Sequence, residues 1–411
     1  MEIRSITYFD NPRQPVEKGV LRRAEKFIIR ARPGFENDGY PVQTSRFATP
    51  PFPTFLSALK TDSVVSYARK LEAAAASAGY DYLSLGPALP AYPQAYPLIP
   101  AVIQKTENVF LSGAMTTRQG VSLPAVQACG EIIHSLAPQQ EDGFANLYFA
   151  ALGNVPPGAP FFPAAYHDSG PAAFALAIEG ADLAMHAFQD AENLQDARNT
   201  LIRSLENHSK DLTSRAAQLQ EETGASFKGI DYSLAPYPDE IRSLGGALEQ
   251  LGVSKLGEHG SVALAAFLAD CIDRANFPRA GFSGLMLPVL EDAILAARAR
   301  EGTLTVKDLL LYAAVCGTGL DTIPLPGDLS APHISAILLD VAALSLRLDK
   351  PLTARLMPIP NKSSGDPTTF DFPYFANSRI LKVDTGQLGA KLTKGEFLDV
   401  APRKEDDRSG L

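Results

Sequence analysis

Three segments of this 411-residue chain gather side chains able to do acid/base or nucleophilic chemistry. The first runs from Ile230 to Glu240 and places Asp231, Asp239 and Glu240 beyond the end of an expected strand. The second, Gly281 to Asp292, carries Glu291 and Asp292 in otherwise apolar surroundings, so both must be solvated, paired or bound to a cation. The third, Cys316 to Asp328, joins a thiol to Asp321 and Asp328; its glycines and prolines predict a stiff, irregular loop suited to a preorganised site. Ordinary readings stand beside these. Asp239, Glu240, Glu291 and Asp292 all precede helical patterns, where carboxylates cap helices and favour the positive dipole end. A lone cysteine is most often a buried, inert one.

Oxygen-rich side chains such as Asp231, Asp292, Asp321 and Asp328 suit Mg²⁺ or Ca²⁺, and with Glu291 they can serve as general acids and bases. Cys316 qualifies as a nucleophile only if a helix N-terminus or a cation such as His167 favours its thiolate. His167, next to Asp168, is a candidate general base or simply an exposed loop histidine. Arg46, Lys350 and Arg355 are the candidate groups for holding a carboxylate or phosphate, with surface ion pairing as the alternative.

Several standard machineries are missing. Cys316-Gly317-Thr318-Gly319 offers only two of the three glycines of a dinucleotide fingerprint and follows a helical pattern, not a strand. The chain has no phosphate-loop, zinc-protease, EF-hand or serine-elbow motif. Cys129, Cys271 and Cys316 are an odd, widely spaced set without CxxC pairing, which argues against a disulfide framework or thiolate zinc cluster.

The elements that must position these groups alternate along the chain. Strands are predicted at Ile3–Phe9, Lys26–Ala31, Val42–Phe47, Tyr82–Leu85, Val109–Ser112, Leu147–Ala151, Ala173–Ile178, Phe227–Ile230 and Ala354–Ile359. Helices are predicted after Thr61-Asp62, over 97–105, 123–135, 190–222, 242–251, 261–275, 290–300 and 306–314, and from Pro332 to Leu348. Such alternation predicts a largely parallel sheet or barrel with its site on the connecting loops. We expect one large α/β domain over 1–400 and a charged, disordered tail over 401–411.

Hydrophobic residues make up 45% and charged residues 20%, enough apolar material for a sizeable core. The net charge is −9, with 46 acidic against 37 basic residues and no basic block, which argues against nucleic acid and acidic membranes as partners. Neither a signal sequence nor an apolar run of about 18 residues is present, so a cytoplasmic location is expected. A symmetric homodimer is the base expectation for assembly.

In order, IRSITYF, GYPVQTSRFATPPF, FFPAAYH, FKGIDYSLAPYPDE, GFSGLMLPVLEDA, CGTGLDTIPLPGD and KPLTARLMPIP resemble the uncharacterised family called domain of unknown function 711. The resemblance implies a fold similar to the α/β barrel of glycyl-radical enzymes such as pyruvate formate-lyase, with Cys316 in the place of the radical thiol. The required RVxGY-type glycyl loop is missing: Val383-Asp384-Thr385-Gly386 and Arg408-Ser409-Gly410 lack the arginine spacing and the following aromatic. Glycyl-radical catalysis is therefore rejected. The leading expectation is a hydrolase- or lyase-type enzyme acting on a small carboxylate- or phosphate-bearing metabolite. A Cys316-nucleophile enzyme and a non-catalytic metabolite-binding regulator are the alternatives.

Overall fold

Runs of β-branched and aromatic residues flanked by turn formers become the strands of a nine-stranded mixed sheet in this computed structural model, which describes residues 1–402. The strands are β1 (Glu2–Phe9), β2 (Val42–Ala48), β3 (Tyr82–Ala88), β4 (Val109–Ala114), β5 (Thr116–Thr117), β6 (Gly120–Ser122), β7 (Phe149–Gly153), β8 (Ala173–Glu179), β9 (Ser226–Ala235), β10 (Gly319–Pro326), β11 (Leu352–Ile359) and β12 (Phe397–Leu398). The helices are α1 (Lys18–Asn37), α2 (Thr61–Ser77), α3 (Ile99–Lys105), α4 (Leu123–Leu136), α5 (Ala181–Gln189), α6 (Leu194–Thr223), α7 (Leu244–Gln250), α8 (Ser261–Arg274), α9 (Ala293–Glu301), α10 (Val306–Cys316), α11 (Ala331–Arg347) and α12 (Ala390–Thr393). None is long and apolar enough to cross a membrane among the described residues.

The large sheet is ordered β10-β11-β7-β4-β3-β2-β1-β8-β9, and β12, β6 and β5 form a small second sheet. Strands β1, β2, β3, β4 and β7 are mutually parallel. Each end of that set meets an antiparallel partner, β8 at one side and β11 at the other, and these pair in parallel with β9 and β10. Side-chain alternation separates two faces. Ile3, Ile6 and Tyr8 of β1 pack with Ala24, Phe27 and Phe35 of α1 in the main core between sheet and helices. On the opposite face, Ser5 and Thr7 donate hydrogen bonds to the Pro160 carbonyl, so the chain between β7 and β8 covers that face.

Among the described residues a continuous barrel is not formed, which corrects that expectation. Segment 279–289 runs between the edge strands β9 and β10, but touches them through isolated bridges, Ile230 with Arg279 and Pro288 with Asp321. Pro278 and Pro288 lack a backbone N–H, and Ser283 is held at φ +42°, so this stretch cannot sustain a regular ladder.

Two further expectations change. Lys26–Ala31 lies inside α1, because Val20, Ala24, Phe27, Ile28, Ala31 and Phe35 recur at helical spacing against the sheet. The loop expected over Cys316–Asp328 is mostly the edge strand β10, where Pro324 and Pro326 cost no essential ladder bond. From residue 403 onward the expected charged tail, with its Arg408-Ser409-Gly410, lies outside the described residues.

Candidate functional site: a buried arginine cluster

At the N-terminal ends of β1 to β4, which adjoin the C-terminal ends of β8 and β9, a cavity of about 90 Å³ is lined by Arg4, Arg46, Arg355 and Glu291 together with aromatic side chains. Each charged group arrives by a specific backbone device. The β1–β8 register slips between Ile3 and Ser5, a bulge at Arg4 that re-aims its side chain into the cavity. Arg46 lies on β2 opposite Tyr82 of β3. Arg355 projects from β11, and Asp321 sits where the β10–β11 register slips, next to Thr322 at φ +43°. Glu291 follows segment 279–289 one residue on, after Leu290.

Arg355 joins the two carboxylates. Its Nη2 donates to Glu291 Oε1 at 2.7 Å and Asp321 Oδ2 at 2.9 Å, while Nε donates to Asp321 Oδ1 at 2.5 Å. Arg4 pairs with the other oxygen of Glu291 and lies 3.6 Å from Glu179. Glu179 also accepts from Gln43 and, at 3.2 Å, from Arg242. Arg46 differs from its two neighbours. Its Nε donates to Thr44 Oγ1 at 2.9 Å, and its guanidinium packs on the rings of Phe162 and Tyr82, 5.1 and 5.7 Å from their centres. Among the described residues no carboxylate pairs with it, although it is 7% exposed.

Burial, then the positive charge of Arg4 with that of Arg355, pushes the Arg46 guanidinium down to about 9. A guanidinium stays protonated at neutral pH even so, so this shift marks a buried cation short of a counter-ion. Asp321 and Glu291 move in opposite directions. Burial raises Asp321 despite Arg355, and the nearby Glu291 charge adds to that. Burial also acts on Glu291, but Arg355, Arg4 and Arg46 together outweigh it and hold its carboxyl below the usual range. A smaller cavity of about 20 Å³ reaches Asp321 and shares Arg355, Phe161, Phe162 and Met286 with the larger one.

Four of the predicted site residues, Arg46, Arg355, Glu291 and Asp321, are thus brought together, and the others are not. Asp231 is fully buried, accepting from the N–H groups of Phe282 at 2.7 Å, Ser283 at 2.9 Å and Ser233 at 3.0 Å and from the Ser233 hydroxyl at 2.6 Å. It clamps segment 279–289 to β9, and Gly281 at φ +61° is required there because a Cβ would lie 2.1 Å from Asp231 Oδ2. Asp292 caps α9 through the N–H groups of Ile294 and Leu295 and also accepts from Ser243 and the Gly245 N–H, tying α9 to the start of α7. Asp328 is exposed beyond β10. The Mg²⁺ or Ca²⁺ site expected from Asp231, Asp292, Asp321 and Asp328 is therefore not assembled: two are saturated by neutral donors, one is paired with Arg355 and one faces solvent. Among the described residues no group of three or more histidines, cysteines or acids is placed to hold a metal ion.

Cys316 ends α10 instead of preceding a helix, and its Sγ lies 3.7 Å from the Leu285 carbonyl. Burial pushes this thiol up, and the negative end of the α10 dipole also disfavours a thiolate. Lys350 donates to the Val315 carbonyl at 3.2 Å, completing the same helix end, and does not line the cavity. His167 lines a different, roughly 380 Å³ cavity with Asp168, Lys228 and Arg279. It is buried, not exposed, with Nδ1 3.3 Å from Asp168 and Nε2 3.0 Å from the Gly170 carbonyl. Cys129 and Cys271 are buried core residues, as expected.

The residues that sequence reasoning missed are Arg4, Glu179 and Tyr82. A charge amid Ile3, Ser5 and Ile6, and an acid ending the apolar run AFALAIE, were the only signals. Neither indicates which face of the sheet the side chain joins.

The family model described as "Uncharacterised ACR (DUF711)" matches residues 1–377. A UPF0210 protein of Pyrobaculum aerophilum is 36% identical over 262 residues, 61% of this chain and 57% of its own length. The chain thus spans less than two thirds of that relative in the match. A UPF0210 protein of Neisseria meningitidis is 31% identical over 349 residues, 81% of this chain and 77% of the relative. One from Thermoanaerobacter is 28% identical over 427 aligned residues, 96% of this chain and 93% of the relative. With the family model covering nearly the whole chain and the relatives all bearing the same family name, the protein belongs to the uncharacterised DUF711, or UPF0210, family.

Proposed function

We propose that the protein is an enzyme that holds the carboxylate or phosphate of a small metabolite on Arg46 and moves a proton with the Glu291–Asp321 pair, in hydrolysis- or lyase-type chemistry. The observation that carries this reading is the Arg46 guanidinium: buried, lining a cavity, and without a carboxylate partner among the described residues. An anionic ligand would supply the missing counter-charge through bidentate hydrogen bonds. The opposite shifts of the two carboxyls support the acid/base assignment. Both are ionised on Arg355, but burial raises Asp321 and the arginines lower Glu291, so Asp321 is the one that takes up and passes on a proton more readily. Arg355 touches both and sets their separation.

One observation favours a second reading, a metabolite-binding protein without turnover: both carboxylates are already tied to arginines, as in a structural ion network. Calorimetric titration of the full chain with inorganic phosphate and small carboxylates tests the site. Arg46→Gln should weaken binding by about tenfold or more, the scale of a lost charge-assisted pair. Equal affinity in the two proteins would remove the reading. A turnover screen with Asp321→Asn as control separates enzyme from binder: loss of turnover with binding intact supports the acid role, and no turnover of any bound metabolite supports the second reading.

A further inference from the structure

We propose that the ligand of the arginine-lined cavity is a monocarboxylate carrying an apolar, ring-sized body, and not a phosphate or a dicarboxylate. This rests on the anion-binding reading of Arg46 and narrows it to a substrate class. Charge comes first. Arg4 pairs with Glu291 and lies within ion-pair distance of Glu179, and Arg355 pairs with Glu291 and Asp321, whereas Arg46 has no carboxylate partner among the described residues. One guanidinium is left unpaired, which matches one negative charge on the ligand. A dianion would bring a second, buried charge without a partner, at a desolvation cost that the site does not offset.

The walls come second. Alongside its charged residues and Gln43 and Thr44, the cavity is bounded by Phe110, Phe162, Leu147, Met286 and Phe372, with Tyr82 and Tyr374 at its sides. Apolar walls around a single unpaired cation select a ligand whose remaining surface is apolar, because a polar body would lose its water there without regaining hydrogen bonds. Aromatic rings add edge and face contacts favouring a flat body over a branched one. The phenol oxygens of Tyr82 and Tyr374 have no hydrogen-bond partner among the described residues and can orient one polar substituent.

The outer wall is formed by loop side chains. Tyr374 is 37% exposed at the mouth, and its ring meets Tyr237 edge-on at 5.8 Å and Phe372 at 5.3 Å. These aromatic side chains sit on the loop after β11 and the loop after β9, so a ring-sized body can be accommodated by displacing loop side chains without disturbing the sheet. Phe372 and Tyr374 therefore read as specificity-determining residues that touch the ligand body, while Arg46 holds its head.

The test is calorimetric titration of the full chain with four probes: acetate, inorganic phosphate, benzoate and phenylacetate. The expected result is that benzoate or phenylacetate binds about tenfold or more tightly than acetate and phosphate, the gain from burying a ring face. Phe372→Ala and Tyr374→Ala, both on a surface loop, should erase that advantage and bring benzoate and phenylacetate down to the affinity of acetate. Arg46→Gln should weaken every probe. Acetate binding as tightly as the aromatic acids would overturn the ring-sized body, and phosphate binding as tightly would overturn the monocarboxylate class; either leaves the anion site standing. No binding of any probe, or binding indifferent to Arg46→Gln, would overturn both.

Discussion

Glu291 and Asp292 are neighbours in sequence, equally buried, and belong to regions built on different physics. Asp292, like Asp231, is surrounded by neutral donors: backbone N–H groups and serine hydroxyls that satisfy its oxygens and pin one segment to another. Glu291, like Asp321, is held by guanidiniums at the edge of a cavity. Neutral donors offset the desolvation of a carboxylate with fixed, local geometry, so the aspartate clamps are scaffold. Guanidiniums keep net charge in the region, and Arg46 leaves part of it unanswered, so the cluster can respond to a ligand. Burial of a carboxylate alone does not mark a site; the charge of its donors does.

The largest expected effect comes from Arg355→Met, which strands buried Asp321 and leaves Glu291 with Arg4 alone. Urea unfolding should show a loss of about 3–5 kcal/mol, the cost of breaking a buried pair from one side. A loss below about 1 kcal/mol would mean the cluster is solvated and the contrast with the clamps is overstated.

The pH response should separate Asp231 from Glu291 by sign, whereas buried Asp321, also raised, shares the sign of Asp231. Burial pushes Asp231 up to about 6 from its usual 3.8 in spite of its hydrogen-bond donors, so the folded state holds this proton more tightly than the unfolded chain. Its contribution is fully present below the unfolded value and is lost as pH rises from about 4 to 6, by about 3 kcal/mol at about 1.4 kcal/mol per unit. Glu291, lowered, contributes in the opposite sense, present above the ordinary carboxylate range and lost as pH falls below it. Subtracting the stability profile of Asp231→Asn from that of the parent isolates the first slope. A flat difference between pH 4 and 6 would place Asp231 among ordinary ionised caps.

Asp292→Asn should have the smallest effect. The amide keeps an acceptor for Ile294 and Leu295 but turns a donor toward the Gly245 N–H, costing about 1–2 kcal/mol in thermal or urea unfolding. Anion affinity at Arg46 should not change. If affinity fell as far as in Arg46→Gln, clamp and cluster would have to be one cooperative network.

Much of the scaffold was legible from pattern. The strand Ile3–Phe9, the α2 stripe ending at Gly79 and the Ile334–Leu338–Val341 face of α11 follow from periodicity that only one face of an element can bury. Lys26–Ala31 misled because a six-residue window rich in isoleucine and phenylalanine fits either period, and only the longer run from Val20 to Phe35 decides for a helix. Within the site, Arg46, Arg355, Glu291 and Asp321 were legible as charged residues at strands and turns. Their convergence was not, because it depends on bulges at Arg4 and at Asp321–Thr322 that carry no composition signal.

The sequence by itself determined family membership, the α/β alternation, the apolar core positions and the set of charged residues from which a site must be drawn, because these are local properties of residue type and spacing. Only the tertiary structure decided that segment 279–289 spans the edge strands irregularly, that Asp231 and Asp292 are clamps, that Cys316 ends a helix, and that Arg46 has no carboxylate partner among the described residues. Those outcomes depend on which strands lie side by side and in what register. A slip of one residue sends a side chain to the opposite face, so no one-dimensional pattern can specify them.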